Sequence, residues 1–155
     1  MILRFAGLDD LPSLDRLEKE CFEYPRFPIP VLVDFILADG AYVLLAFTES
    51  PGRAETVMGG IMFVVQRTEK GLLGRIASVS VLEEYRNQGL GRRLLSEAEE
   101  VMRQAGASVF SLEVAVNNEA AISLYESLGY EITERLEHYY GLNEHAHRME
   151  KELED

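Results

Sequence analysis

Val79-Ser80-Val81-Leu82-Glu83-Glu84-Tyr85-Arg86-Asn87-Gln88-Gly89-Leu90-Gly91-Arg92-Arg93 is the stretch that decides how this chain folds. It runs from an apolar segment into one where Leu90, Leu94, Leu95, Ala98, Val101, Met102 and Ala105 recur on one helical face. A strand therefore meets a helix at a turn holding Gly89 and Gly91. A helix N-terminus carries unpaired backbone N–H groups and a partial positive charge. Residues without a Cβ let a ligand oxygen reach that main chain. Arg86, Arg92 and Arg93 bring three guanidiniums to the same turn. The combination suits a phosphorylated ligand, although a tight turn with solvated arginines reads the same on spacing alone. Gly-x4-Gly-Lys-Ser/Thr is absent, and two glycines after a meander strand do not make the dinucleotide fingerprint.

Downstream, the helix ends near Gly106 and Ser108–Val116 reads as a strand. Leu112, Val114 and Val116 face one way, Glu113 and Ala115 the other. The strand–helix–strand unit from Leu72 to Val116 predicts parallel pairing through a right-handed crossover. Upstream, Ala41–Thr48, Thr56–Thr68 and Leu72–Val81 predict an antiparallel meander, with a bulge at Gly59-Gly60. Leu8, Leu11, Leu14, Leu17 and Cys21 predict a first helix capped by Asp9, with Pro12 in its first turn. Pro30–Ala38 predicts a second helix, stopped at Asp39-Gly40. Tyr24–Pro30 and Ser50–Arg53 read as loops. Glu119–Leu128 is a further helix closed by Gly129, and Tyr130–Tyr140 with His145–Leu153 a final strand pair. The expectation is one domain over residues 1–155: a mixed α/β sheet with helices on both faces.

Composition narrows the function. Lys and Arg number 15 against 27 Asp and Glu, a formal net charge of −12. That argues against nucleic-acid binding, which draws on neutralised phosphates, and against docking on an anionic membrane. Any phosphate site must be local, as the arginine turn is. Cys21 is the single cysteine, so no intrachain disulfide forms. The first ten residues show no leader pattern, and no apolar run approaches the ~18 residues of a membrane span. The expected location is cytoplasmic, and a monomer or homodimer fits equally. His138, His145 and His147 lack metal-ligand spacing, so no metal is expected. Glu150–Asp155 reads as a solvated acidic end.

Arg86-x-x-Gly89-x-Gly91 after Val79-Ser80-Val81 resembles the acetyl-CoA signature of the GNAT acetyltransferase superfamily. Leu112-Glu113-Val114, followed by Asn117-Asn118-Glu119-Ala120-Ala121-Ile122-Ser123-Leu124-Tyr125-Glu126-Ser127-Leu128-Gly129-Tyr130, is similar to its second half. The likeness is nearest to the RimI-type N-terminal protein acetyltransferases, which Cys21-Phe22…Phe27-Pro28 and Tyr139-Tyr140 also resemble. Glu83 stands where the family commonly has proline, and Ala115 where RimI-type enzymes usually carry arginine. The resemblance implies a mostly antiparallel sheet of about seven strands. It implies that the main chain from Arg86 through Asn87, Gln88, Gly89 and Leu90 to Gly91, together with Arg92, holds the acetyl-CoA pyrophosphate. Val79 and Val81 would pair with the pantetheine amides, Asn118 would touch the cofactor arm, and Tyr125 would lie near the thioester sulfur. Glu113 would be the general base, and Phe27, Tyr139 and Tyr140 would line the peptide side.

The acceptor's chemistry agrees with a light catalytic apparatus. A protein α-amine has a pKa near ~8 and lysine near ~10.4, so roughly a tenth of the former is neutral at pH 7. One carboxylate acting through water can then suffice, with direct attack in a ternary complex. Two alternatives stand beside N-terminal acetylation: acetylation of a small cationic amine, which a charge of −12 would suit, and acyl-CoA binding without catalysis. Beside the roles that the resemblance implies stand plainer ones, an exposed strand carboxylate for Glu113 and a core tyrosine for Tyr125; Cys21 reads as a buried helix residue and is not expected to be a nucleophile.

Overall fold

The meander forms as the alternation predicts. In the computed structural model, which describes residues 1–22 and 26–153, β2 (Ala41–Phe47), β3 (Val57–Thr68) and β4 (Gly71–Val81) pair antiparallel in succession. Helix α3 (Leu90–Gln104) then crosses over to β5 (Val109–Ala115), which joins β4 in parallel. After α4 (Glu119–Ser127), β6 (Glu131–Gly141) and β7 (Glu144–Glu152) form a hairpin, and β7 rather than β6 pairs with β5. A strand that the sequence reading omitted, β1 (Ile2–Phe5), closes the opposite edge against β2. The sheet has seven strands in the order β1-β2-β3-β4-β5-β7-β6, parallel only between β4 and β5.

Helices cover both faces. On one, Leu94, Leu95, Ala98 and Met102 of α3 pack on Ile61, Phe63, Ile76, Phe110 and Leu112, a core grown from the 3.6-residue period. On the other, α1 (Leu11–Cys21) and α2 (Ile29–Leu37) bury Leu14, Leu17 and Leu32 against Val43, Leu45 and Met62. Among the described residues, no side chain of β5, β6 or β7 enters this second core. That flank of the sheet lies open, and Glu113 stands on it. No helix among the described residues is long and apolar enough to cross a membrane.

Several boundaries move. Leu8–Asp10 forms a 3-10 turn with Leu8 exposed, and α1 starts only at Leu11, so Asp9 is not its cap. The bulge expected at Gly59-Gly60 falls at Met58, because Phe47 pairs with Val57 and Ala46 with Gly59. The two glycines serve close packing instead: a Cβ on Gly59 would stand 2.5 Å from the Ser80 carbonyl, and one on Gly60 2.7 Å from Leu45 Cδ2. A second bulge, in β4, was not foreseen. Phe63 pairs with Ile76 and Met62 with Ser78, leaving Ala77 extra. Residues 24–25 of the expected Tyr24–Pro30 loop and 154–155 of the acidic end lie outside the described residues.

Asp10 ties the N-terminal strand to α1. Its carboxylate accepts from Arg4 Nη1 at 2.7 Å and from the Gly7 N–H at 2.9 Å. The Arg4 guanidinium holds this carboxyl below the usual range. Asp10→Asn is expected to lose about 1–2 kcal/mol in urea melts at pH 7. Because the folded pKa is the lower one, the difference from wild type is full above the unfolded value, about 4, and fades as pH falls below it.

Candidate active site

The parallel pairing stops early. β4 and β5 are joined only from Leu73–Ile76 to Val109–Leu112. Beyond that, β4 stays with β3 through Val81 while β5 stays with β7 through Ala115, so the two strands part. The Val81 carbonyl accepts from Arg86 Nε at 2.8 Å and from the Cys21 thiol at 3.6 Å, so it faces away from β3 and into the gap. Strand backbone groups alternate in direction, which turns Val79 the same way. A cleft of about 590 Å³ occupies the gap, walled by α1, β4, β5, α4 and the β6–β7 hairpin.

The glycine turn sits beside this gap. Gly89 is the N-cap of α3 with φ +83°, a left-handed conformation suited to glycine, and a Cβ added there meets nothing within 4 Å. Gly91 abuts α4, where its Cβ would lie 3.9 Å from Leu124 Cδ2. Among the described residues, no backbone N–H from Asn87 through Arg92 donates to another backbone group. The ladder resumes with Arg93, whose N–H reaches the Gly89 carbonyl at 3.0 Å. These N–H groups, without backbone acceptors at the start of α3, fit an anionic diphosphate. The arginines are less available than their spacing suggests. Arg86 holds the Val81 carbonyl, Arg92 donates to Ser127 Oγ at 3.0 Å, and Arg93 pairs with Glu97 at 3.0 Å. Gln88 Nε2 donates to the Glu84 carbonyl at 3.2 Å.

The cleft brings together Phe27, Val79, Glu113, Asn118, Tyr125 and Tyr140; Val81, the glycine turn and Tyr139 do not line it. Tyr125 stands edge-on to Tyr130, and its hydroxyl has no hydrogen-bond partner among the described residues. Burial pushes its pKa up. Asn118 caps α4, its Oδ1 accepting the Ala121 N–H at 3.2 Å, which leaves its NH₂ for a ligand. Phe27 packs on Phe35. Tyr139 and Tyr140 meet edge to face, and burial pushes the Tyr140 hydroxyl up to about 12. Cys21 lines the cleft from α1, half-buried, and burial raises its thiol pKa.

Glu113 is not an exposed strand carboxylate. Its side chain is 7% exposed, with Arg75 Nε 3.3 Å from Oε1, Arg75 Nη2 3.3 Å from Oε2, and Arg148 Nη2 3.5 Å from Oε1. Arg75 also donates to the Tyr139 hydroxyl at 3.2 Å. Neither arginine was foreseen, since both meet Glu113 only through strand register. Glu18 was missed as well. It is 2% exposed, its Oε2 accepts the Phe27 N–H at 3.1 Å, and its Oε1 has no partner. One signal was present: Glu18 falls at i+4 from Leu14 and i−3 from Cys21, inside the apolar stripe of α1.

The fold also gathers Glu137, His138 and His145, whose ligand atoms lie within 4.8 Å of one another. Yet His145 Nδ1 accepts the His138 N–H and His138 Nδ1 accepts the Asn143 N–H, each at 2.9 Å. Both rings therefore turn Nδ1 to the hairpin backbone, and His145 Nδ1 also lies 2.8 Å from Glu137 Oε2.

Residues 11–130 match the acetyltransferase (GNAT) family. The chain is 40% identical over 83 residues to N-alpha-acetyltransferase 30 of Schizosaccharomyces pombe, covering 52% of this chain and 55% of that protein, so it spans about half of that relative's length. It is 34% identical over 153 residues to the N-terminal acetyltransferase A complex catalytic subunit NAA10 of Arabidopsis thaliana, 97% of this chain and 77% of that one. The fold is shared with Arabidopsis thaliana NAA60 solved in complex with acetyl-CoA, at a TM-score of 0.87 over 98% of each chain and 18% identity.

Proposed function

The chain belongs to the acetyltransferase (GNAT) family, and from that premise we propose that it transfers acetyl from acetyl-CoA to the α-amino group of a protein or peptide N-terminus. The observation that carries the reading is the parted β4–β5 seam, with an unpaired strand edge and the hydroxyl of Tyr125 in one cleft. The α-acetyltransferase relatives support the same acceptor. Bound acetyl-CoA supplies a thioester, an acyl group open to attack by an amine. The N–H groups from Asn87 to Arg92 hold its diphosphate, and the Val79–Val81 edge pairs with its arm. The backbone of Val79, aimed into the gap, offers an N–H where oxygen gains charge. Tyr125 keeps its proton at neutral pH and sits where a thiolate departs. The dry surroundings that raise its pKa raise that of a thiol too, so donor and acceptor stay matched. Glu113 takes the amine proton through water, while Arg75 and Arg148 fix its carboxylate in place. Phe27, Tyr139 and Tyr140 face the peptide. A RimI-type acceptor preference and a cytoplasmic location belong to the same proposal and rest on the sequence motifs and composition.

Acetylation of a small cationic amine is the second reading, favoured by the net charge of −12. CoA release measured with short peptides of varied first residue and with spermidine separates the two. We expect kcat/KM for the best peptide to exceed that for spermidine by at least about tenfold, the free fraction of an α-amine being far larger than that of an alkyl amine. Absence of turnover with every peptide refutes the first reading.

A further inference from the structure

The flank of the sheet that no helix covers carries its charges in rows set by strand register. Glu113 stands opposite Arg148, and Arg148 opposite Glu134. Arg148 Nη1 lies 2.6 Å from Glu134 Oε2 and Arg75 pairs with Glu113, so two carboxylates meet two guanidiniums and this row is balanced. Two residues further along β5 and β7, Ser111 stands opposite Glu150, and Glu150 opposite Glu131. Directly opposed residues share a face with Cβ atoms about 4.5–5.5 Å apart, and like charges so placed destabilise a sheet. Among the described residues, no cation pairs with either glutamate. We infer that this second row seats a basic side chain of the acceptor polypeptide, a lysine or arginine in its second to fourth residue, and thereby selects among N-termini. The inference deepens the reading above and rests on it.

A groove of about 490 Å³ spans both rows, lined by Glu113, Arg148 and Glu134 and then by Ser111 and Glu150. Glu113 borders the cleft as well, so the groove continues from the place where the amine gives up its proton. Arg75 lines the groove too, and its bond to the Tyr139 hydroxyl at 3.2 Å ties it to the peptide side. Past the balanced row, Glu150 gives the groove a negative end, and Glu131 adds to it from β6.

Ser111 is an independent sign of a ligand. It is 3% exposed and lies on the side of β5 that carries Glu113. Its hydroxyl has no hydrogen-bond partner among the described residues, yet it is not closed to solvent, so a group in the groove reaches it. A side-chain ammonium can donate to this hydroxyl and to the Glu150 carboxylate together, and its charge offsets the opposed glutamates. Spacing sets which acceptor residue this is. Strands rise about 3.3 Å per residue, so the second row lies roughly 7 Å beyond Glu113. An extended acceptor whose amine sits one water from Glu113 covers that span in two residues, and side-chain reach widens the window to residues two to four.

The test is kcat/KM for a short peptide that carries lysine, norleucine or glutamate in turn at its second, third and fourth residues, with the first held constant. At one of these positions lysine should exceed norleucine about fivefold and glutamate at least about tenfold, through KM and with kcat unchanged. Glu150→Gln should bring the lysine-to-glutamate ratio within about threefold, and Glu150→Lys should invert it, with the KM for acetyl-CoA unchanged. Ser111→Ala should lose a smaller part. Asp39→Asn, which removes a charge just before β2, three strands from β5, should leave the ratio alone. The melting temperature of Glu150→Gln should not fall, since the change relieves a like-charge pair. The inference is overturned if wild type acetylates peptides without distinguishing lysine from glutamate at any of the three positions, or if Glu150→Gln keeps the wild-type ratio. It is likewise overturned if Asp39→Asn lowers the ratio equally, which makes overall charge the cause, or if Glu150→Gln melts lower, which gives the carboxylate a partner within the fold. Absence of turnover with every peptide is a different result: it refutes the reading above and takes this inference with it.

Discussion

Tyr125→Phe is expected to lower kcat by about 100-fold while leaving the KM for acetyl-CoA within about twofold, the scale of loss when a positioned proton donor is removed. The ring stays, with its packing against Tyr130 and the cleft wall, so the fold should be untouched. Only the hydroxyl goes, and it has no hydrogen-bond partner among the described residues to be orphaned. A purified variant with wild-type melting temperature and wild-type kcat shows that the hydroxyl takes no part in the transfer. Because burial raises the pKa of this group, wild-type activity should not be lost to its ionisation at any pH up to about 10.

Glu113→Ala should do two things at once. It removes the proposed base, for about 100-fold in kcat/KM. It also leaves Arg75 and Arg148 facing each other across the space the carboxylate filled. Breaking one partner from a buried pair costs about 3–5 kcal/mol, but both guanidiniums keep about a third of their surface, so solvent screens them and a loss of roughly 2 kcal/mol in urea unfolding is expected. Glu113→Gln separates the effects, retaining an acceptor for both arginines while abolishing the base. Full stability with a 100-fold loss in the Gln variant supports the division. Full activity in that variant removes Glu113 from the chemistry and leaves it as the anchor of the open flank.

The parts of this molecule written in local periodicity were legible in its sequence. Helix α3 announced itself through Leu90, Leu94, Leu95, Ala98 and Met102, each of which is buried, and the crossover to β5 followed from it. The short strand Ile2–Phe5 was not legible, because four residues carry too little alternation and its existence depends on pairing with β2. At the site, Tyr125, Glu113 and Val79 were readable through motif resemblance, and they do meet in one cleft. Their partners were not. Arg75 and Arg148 lie 38 and 35 positions from Glu113 and are delivered to it by register alone. Glu18 was not singled out, although its spacing from Leu14 places it among the buried positions. The arginine turn erred in the other direction: three guanidiniums close in sequence are tied to three different neighbours in space.

The unpaired Ala77 has a reach beyond its own position. Upstream of it, even-numbered side chains such as Ile76 belong to the α3 core; downstream, Val79 and Val81 do. Were Ala77 drawn into the ladder at constant length, every residue after it would turn over: Val79 and Val81 would face the α1 side, and Ser78 and Ser80 the α3 core. Whether this wall meets the cleft with oxygen or with methyl groups is therefore set by one unpaired residue, and a change of register there would respecify the lining while every side chain kept its identity.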